Sequence, residues 1–166
     1  MTYVGIDVSK ATFVVAYSSA KTGRTKTFKN TVKGVHEFIQ TISATEHHCV
    51  LEATGNYSAL LVYLLSEAGI TVSLENPLKI KNFARAMLSV TKTDEMDSRL
   101  IALYGERMQP EPYKLRSDSI LFLKQKRTVL RQLKKQLVAT RNLKGSMEAL
   151  PFFDPKCKKT IEKTIV

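Results

Sequence analysis

The chain has 166 residues, 43% of them hydrophobic and 25% charged, and a formal net charge of +11. That length fits one domain, or one domain with an appendage, and the apolar share is enough for a real core. No run of about 18 apolar residues occurs, so no membrane-spanning helix and no membrane partner are expected. The N-terminal stretch MTYVGIDVSK lacks the basic and apolar regions of a secretory signal and reads as a first strand. Cys49 and Cys157 have no metal-type spacing, which suits a reducing, cytoplasmic setting.

The charge is unevenly placed. Residues 1–112 hold 12 Lys+Arg against 11 Asp+Glu, whereas residues 113–166 hold 14 against 4. A near-neutral first part and a strongly basic second part favour a polyanion partner, nucleic acid above all. The alternative is a lysine-rich helix that is merely solvated.

In chain order, TYVGIDVS is a short apolar run that reaches an acid, and ATFVVAYSS is rich in β-branched and aromatic residues. SAKTGR, with Gly23, reads as a turn, and TKTFKN alternates like a partly exposed strand. These predict three antiparallel strands joined by short connections. TVKGVHEFIQTIS spaces Val35, Phe38, Ile39 and Ile42 as a helix does, with Thr31 as its N-cap. HHCVLEAT is a fourth strand, again with an acid near its end. NYSALLVYLLSEAG is a second helix closed by Gly69, and ITVSLEN is a fifth strand ended by Pro77. LKIKNFARAML is helical and leads into KTDEMDSRL, where a further helix begins. The order β-β-β-α-β-α-β-α predicts a mixed five-stranded sheet with helices on both faces, as in the ribonuclease H-like fold.

PEPY, residues 110–113, carries two prolines and marks a boundary. The expected division is an α/β domain over 1–112 and a basic helical segment over 113–166. In the second part Leu123, Leu130 and Leu137 recur every seven residues, with Leu133 between them, among Lys, Arg and Gln. This predicts an amphipathic helix of coiled-coil character over about 118–144. Its apolar seam is too narrow to form a core alone, so it needs a second helix or another copy of the chain. Pro151 and Pro155 break the pattern.

Four acids stand out. Asp7 and Glu52 close the first and fourth strands, which are neighbours in a ribonuclease H-like sheet. Asp94 and Asp97 lie three apart on the first turn of a helix and so share one face. Four carboxylates brought to one place would repel one another, and a divalent cation removes that cost. Mg²⁺, with Mn²⁺ as a substitute, prefers hard oxygen ligands and keeps phosphates in its shell. Two such ions, about 3.5–4 Å apart, form a general phosphoryl-transfer device. Each acid also has a plainer reading. Asp7 could accept hydrogen bonds from the turn at Ser9 and Lys10, Glu52 could be an ordinary strand-end acid, and Asp94 and Asp97 could only complement a helix dipole. The combination in this order favours a site, because the plain readings would have to coincide four times.

GIDVSK, LEATGNY and KTDEMDSRLIA together resemble three signature blocks of the DEDD transposases of bacterial insertion sequences, the IS110 family, and of the related Piv-type DNA invertases. The resemblance covers about residues 3–108 and continues into the helical segment. It implies a RuvC-like, ribonuclease H-like catalytic domain whose acidic tetrad binds Mg²⁺ for DNA cleavage and transfer. Residue by residue, that tetrad is Asp7, Glu52, Asp94 and Asp97, with none substituted. It implies a coiled-coil dimer through the 118–144 helix, and DNA recombination guided by a structured RNA from the mobile element, in the bacterial cytoplasm. It also implies a C-terminal domain with a serine nucleophile. This sequence departs from the family there, and the chain is expected to be a truncated one; Ser146 is not assigned that role.

Lys92, two residues before Asp94, could approach a scissile phosphate, and Gly55 and Asn56 could offer backbone N–H groups to one. Tyr57 is expected to be packed. His47 and His48 point to opposite faces if extended, which makes them poor joint metal ligands, and they are placed on a loop or strand edge. Lys124, Lys126, Arg127, Arg131, Lys134, Lys135 and Arg141 fall on several faces of the long helix and suit contact with nucleic-acid backbone. Two other functions compete with the transposase reading. One is a nucleic-acid-binding and dimerisation module without turnover. The other is a sugar-kinase or actin-type ATPase, which ranks below both because no second Gly-rich phosphate loop is present.

Overall fold

The computed structural model describes residues 1–18, 25–87, 93–114 and 118–165. The turn expected at 19–24, the end of the third helix at residue 88, and Lys92 lie outside these residues. The chain divides into two compact units, residues 1–115 and 116–166.

The first unit is built on five strands: β1 (Thr2–Val8), β2 (Thr12–Tyr17), β3 (Thr25–Lys29), β4 (His47–Glu52) and β5 (Thr71–Glu75). Their order in the sheet is β3-β2-β1-β4-β5. β2 runs antiparallel to both β1 and β3, whereas β1, β4 and β5 are mutually parallel. This is the mixed sheet of the ribonuclease H-like fold. It places the C-terminal ends of β1, β3, β4 and β5 along one edge.

Four helices complete the unit: α1 (Val32–Ile39), α2 (Ala59–Glu67), α3 (Pro77–Ala86) and α4 (Asp94–Met108). Thr31 caps α1 by accepting from the Gly34 N–H at 3.2 Å. Gly69, at φ 73°, ends the turn after α2, where the Ile70 N–H returns to the Leu65 carbonyl at 3.0 Å. Pro77 does more than stop β5. It opens α3 at the first helical position, where its missing N–H costs nothing, and Asn76 caps that helix through the Leu78 N–H at 2.8 Å.

Strand alternation assigns the two faces. Val4, Ile6, Val8, Cys49, Leu51 and Val72 point to one side, where they pack with Val35 and Phe38 of α1 and with Leu61 and Leu65 of α2. The rings of Phe13, Phe28 and Phe38 meet there at 5.3–5.6 Å between centroids. Each fully buried side chain of this kind contributes about 1.5–3 kcal/mol. On the opposite face Val50 packs with Ile80 of α3, Ile101 and Tyr104 of α4, and Tyr3. Helices therefore cover both faces.

His47 and His48 lie within β4, between β1 and β5, and not on a loop or sheet edge. His48 is buried, stacks on Tyr3, and its Nε2 meets the Ser73 hydroxyl at 2.8 Å. Burial lowers its pKa from the ordinary histidine value. A histidine reads as polar in sequence, but here its Nε2 finds a hydroxyl in the interior.

The second unit consists of α5 (Asp118–Glu148) and α6 (Pro155–Ile165). α5 extends beyond the 144 expected from the leucine spacing, because Gly145 to Glu148 continue its last turn. Lys144 of α5 donates to Glu162 of α6 at 2.9 Å. Leu123, Leu130 and Leu133 remain more than half exposed. Among the described residues no helix is long and apolar enough to cross a membrane.

Candidate metal centre

The face of the sheet beneath α4 carries Tyr3, Gly5 and Asp7 on β1, and Val50 and Glu52 on β4. Two contacts fix how α4 lies across it. A Cβ on Gly105 would stand 2.8 Å from the Tyr3 ring and 2.9 Å from Val50 Cγ2. A Cβ on Gly5 would fall inside the backbone of Ser98 and Ala102. Two residues forward along β1 therefore correspond to about five residues backward along α4. The lengths agree, about 6.6 Å of strand against about 7.5 Å of helix. One more step of the same size, from Gly5 to Asp7, reaches the first turn of α4, where Asp94 and Asp97 lie.

That first turn is held by Thr93, whose side chain accepts from the Met96 N–H at 3.2 Å. The cap sets Asp94 at the first helical position and Asp97 one turn on, half-buried against the sheet edge. Ser98 behind them is fully buried and donates to the Glu95 carbonyl at 2.9 Å. It is the missing side chain of Gly5 that lets the backbone of α4 at Ser98 and Ala102 come so close.

The electrostatics carry the same message. The Asp7 carboxyl is pushed up to about 6, first by burial, then by the negative charges of Asp94, Asp97 and Glu52, in that order. A hydrogen bond from the Val8 N–H opposes the shift. Asp7 thus stands in the field of the other three acids. Among the described residues, however, no three His, Cys, Asp or Glu side chains are close enough together to hold a metal ion. The donor set is all oxygen, on two strand ends and one helix turn, and its chemistry fits a hard divalent cation such as Mg²⁺ or Mn²⁺.

A fifth acid was not singled out in the sequence. Glu75 ends β5 in register with Glu52. Lys79 pairs with it at 3.0 Å, and the Tyr104 hydroxyl bonds to it. Its charge is thus matched within the fold by Lys79. The sequence signal was the Glu75–Lys79 spacing across a helix start, which alone looks like any surface pair.

The other expected residues are scattered. Gly55, at φ 69°, and Asn56 lie in a turn before α2, which begins only at Ala59. They are therefore not on a helix start, and Tyr57 is 49% exposed, not packed. Lys124, Lys126, Arg127, Arg131, Lys134, Lys135 and Arg141 are all exposed on α5, in the second unit. Gly5 is the positioning residue that was overlooked. Its trace in the sequence is a lone glycine inside a β-branched strand, a mark of close backbone approach.

The strand order, together with acids at the ends of β1 and β4 and on the helix crossing them, defines a ribonuclease H-like α/β protein with an acidic sheet edge. The family model DEDD_Tnp_IS110, described as Transposase, matches residues 4–148. The chain belongs to the IS110 transposase family. It is 34% identical over 144 residues to the pilin gene-inverting proteins of Moraxella bovis and Moraxella lacunata. Those alignments cover 81% of this chain and 45% of each relative, so the chain spans less than half the length of those proteins. Among solved structures, Thermus thermophilus RuvC is similar at 14% identity and a TM-score of 0.46, covering 68% of this chain and all of RuvC. RuvC bound to a Holliday junction substrate is similar at 13% identity and the same TM-score, with 68% and 99% covered.

Proposed function

We propose that this chain is the metal-dependent catalytic part of a DNA transposase or recombinase of the DEDD type, acting by two-metal phosphodiester chemistry. The observation that carries the reading is the charge field at Asp7, to which Asp94, Asp97 and Glu52 all contribute. Membership of the IS110 family and the likeness to DNA-inverting proteins support DNA as the substrate. In this reading Asp7, Glu52, Asp94 and Asp97 hold Mg²⁺ or Mn²⁺, and the bound ions supply Lewis-acid stabilisation of the phosphate. The chain's own part is to orient the four carboxylates and, through the cap of α4, to hold two of them on one turn. The exposed cations of α5 track nucleic-acid backbone, a structured guide RNA being the second ligand, and Lys92 contacts phosphate near the acids. The exposed leucine seam of α5 pairs with a second copy. Two free cysteines, one buried and one exposed, suit a reducing bacterial cytoplasm.

The test pairs nicking of supercoiled plasmid with DNA binding. The expected result is Mn²⁺-dependent nicking by the wild type, lost in Asp94→Ala while DNA binding is retained. Nicking that survives Asp94→Ala contradicts the assignment. A second reading is a nucleic-acid-binding and dimerisation module without turnover. Salt-sensitive binding with no nicking at any metal concentration, even when a C-terminal domain with the serine nucleophile is supplied, favours it.

A further inference from the structure

Asn30 follows β3 directly and emerges at the same sheet edge as the ends of β1 and β4. Its Nδ2 donates to the Ser9 carbonyl at 2.9 Å and to the Tyr57 carbonyl at 2.9 Å. Its backbone N–H donates to the Ala11 carbonyl at 2.8 Å. Ser9 lies two residues beyond Asp7, and Tyr57 lies five beyond Glu52.

The position of this bridge matters because the sheet does not extend that far. The register between β1 and β4 ends at Ile6 opposite Leu51. Asp7 and Glu52 are each one residue past that last pair. Asp7 is still held by β2, opposite Val14, and Glu52 by β5, opposite Glu75. Between the two acids themselves the ladder has stopped, and the Asn30 amide closes the gap from the loops beyond.

The chemistry of the amide suits the task. Two hydrogens on one nitrogen satisfy two carbonyls at once, which a hydroxyl or a carboxylate cannot do. The Oδ1 atom is buried and has no hydrogen-bond partner among the described residues. Rotating the amide would bring that oxygen against two carbonyl oxygens, so the donor pair defines its orientation. A buried, unpaired acceptor is unfavourable, and the fold retains it together with the two donor bonds.

We propose that Asn30 is a positioning residue: its side-chain amide ties the loops after β1 and β4 and thereby sets the spacing of Asp7 and Glu52 for a shared divalent cation. This rests on the metal reading proposed above. The test compares wild type with Asn30→Ala and Asn30→Asp, the latter keeping the shape while losing both donors. Mn²⁺ affinity is measured by calorimetry on the folded protein, and deuterium uptake by backbone amides is measured without metal. Both variants should unfold cooperatively, bind Mn²⁺ about tenfold or more weakly, and exchange faster in the loops at 9–11 and 54–57 alone. Unchanged Mn²⁺ affinity in the variants, when the wild type binds, overturns the positioning role. If the wild type binds no Mn²⁺, the metal reading fails by itself. The uptake arm then decides the bridge: faster exchange in both loops upholds it, and unchanged exchange overturns it.

Discussion

At Asp7, burial and three neighbouring carboxylates all disfavour the charged form, and the carboxyl is pushed up to about 6 from an ordinary value of 3.8. The folded chain therefore holds a proton on Asp7 at pH values where the unfolded chain has lost it. Below about pH 4 both states are protonated and the group is neutral to stability. As pH rises from about 4 to 6 the folded state loses stability, and the loss is complete above that window. Asp7→Asn removes the titration. Without metal at pH 7.5 the variant should be more stable than wild type by roughly 1–2 kcal/mol after allowance for solvent screening, and the two should converge near pH 3. Denaturant melts in chelator across that range check this. A variant no more stable than wild type at pH 7.5 would remove the charge-field argument. Asp7 was visible in the sequence as an acid closing an apolar strand. Asn30 was not, because an asparagine after a strand looks like ordinary turn chemistry until its two carbonyl partners are known.

Among the elements, α4 does most to assemble the site, and its approach to β1 depends on Gly5. In Gly5→Ala the new methyl would meet the main chain of Ser98 and Ala102. Backbone cannot swing aside as a side chain can, so the expected cost is about 3 kcal/mol or more. Urea unfolding measures it; a change within the error of the midpoint would mean that α4 does not rest on that strand as described. The strands were readable from β-branched and aromatic runs, and α4 from its acidic first turn; its Thr93 cap was seen only in the structure. The start of α2 was not readable. Asn56, Tyr57 and Ser58 precede a strongly apolar helix and look like its first turn, but Gly55 at positive φ delays it to Ala59. The placement of His48 was hidden for a related reason: its burial depends on Ser73, 25 residues away, which no local pattern reveals.

For the molecule as a whole, the division of charge found in the sequence parallels the division into two units, a near-neutral α/β unit and a basic helical one. The mixed sheet, with β1 beside β4, was legible because three hairpin-type strands followed by βαβ repeats leave few arrangements. The detailed geometry of the acids was not. Spacing tells which turn or strand end a carboxylate occupies, but not how closely four like charges stand, which depends on their mutual repulsion and their surroundings. The central claim is that these four acids form one cation site. The direct measurement is a calorimetric titration of Mn²⁺ into the wild-type chain and into Asp7→Ala at pH 7.5. The account predicts saturable binding by the wild type and binding about tenfold or more weaker in the variant. Equal affinity in the two would contradict it.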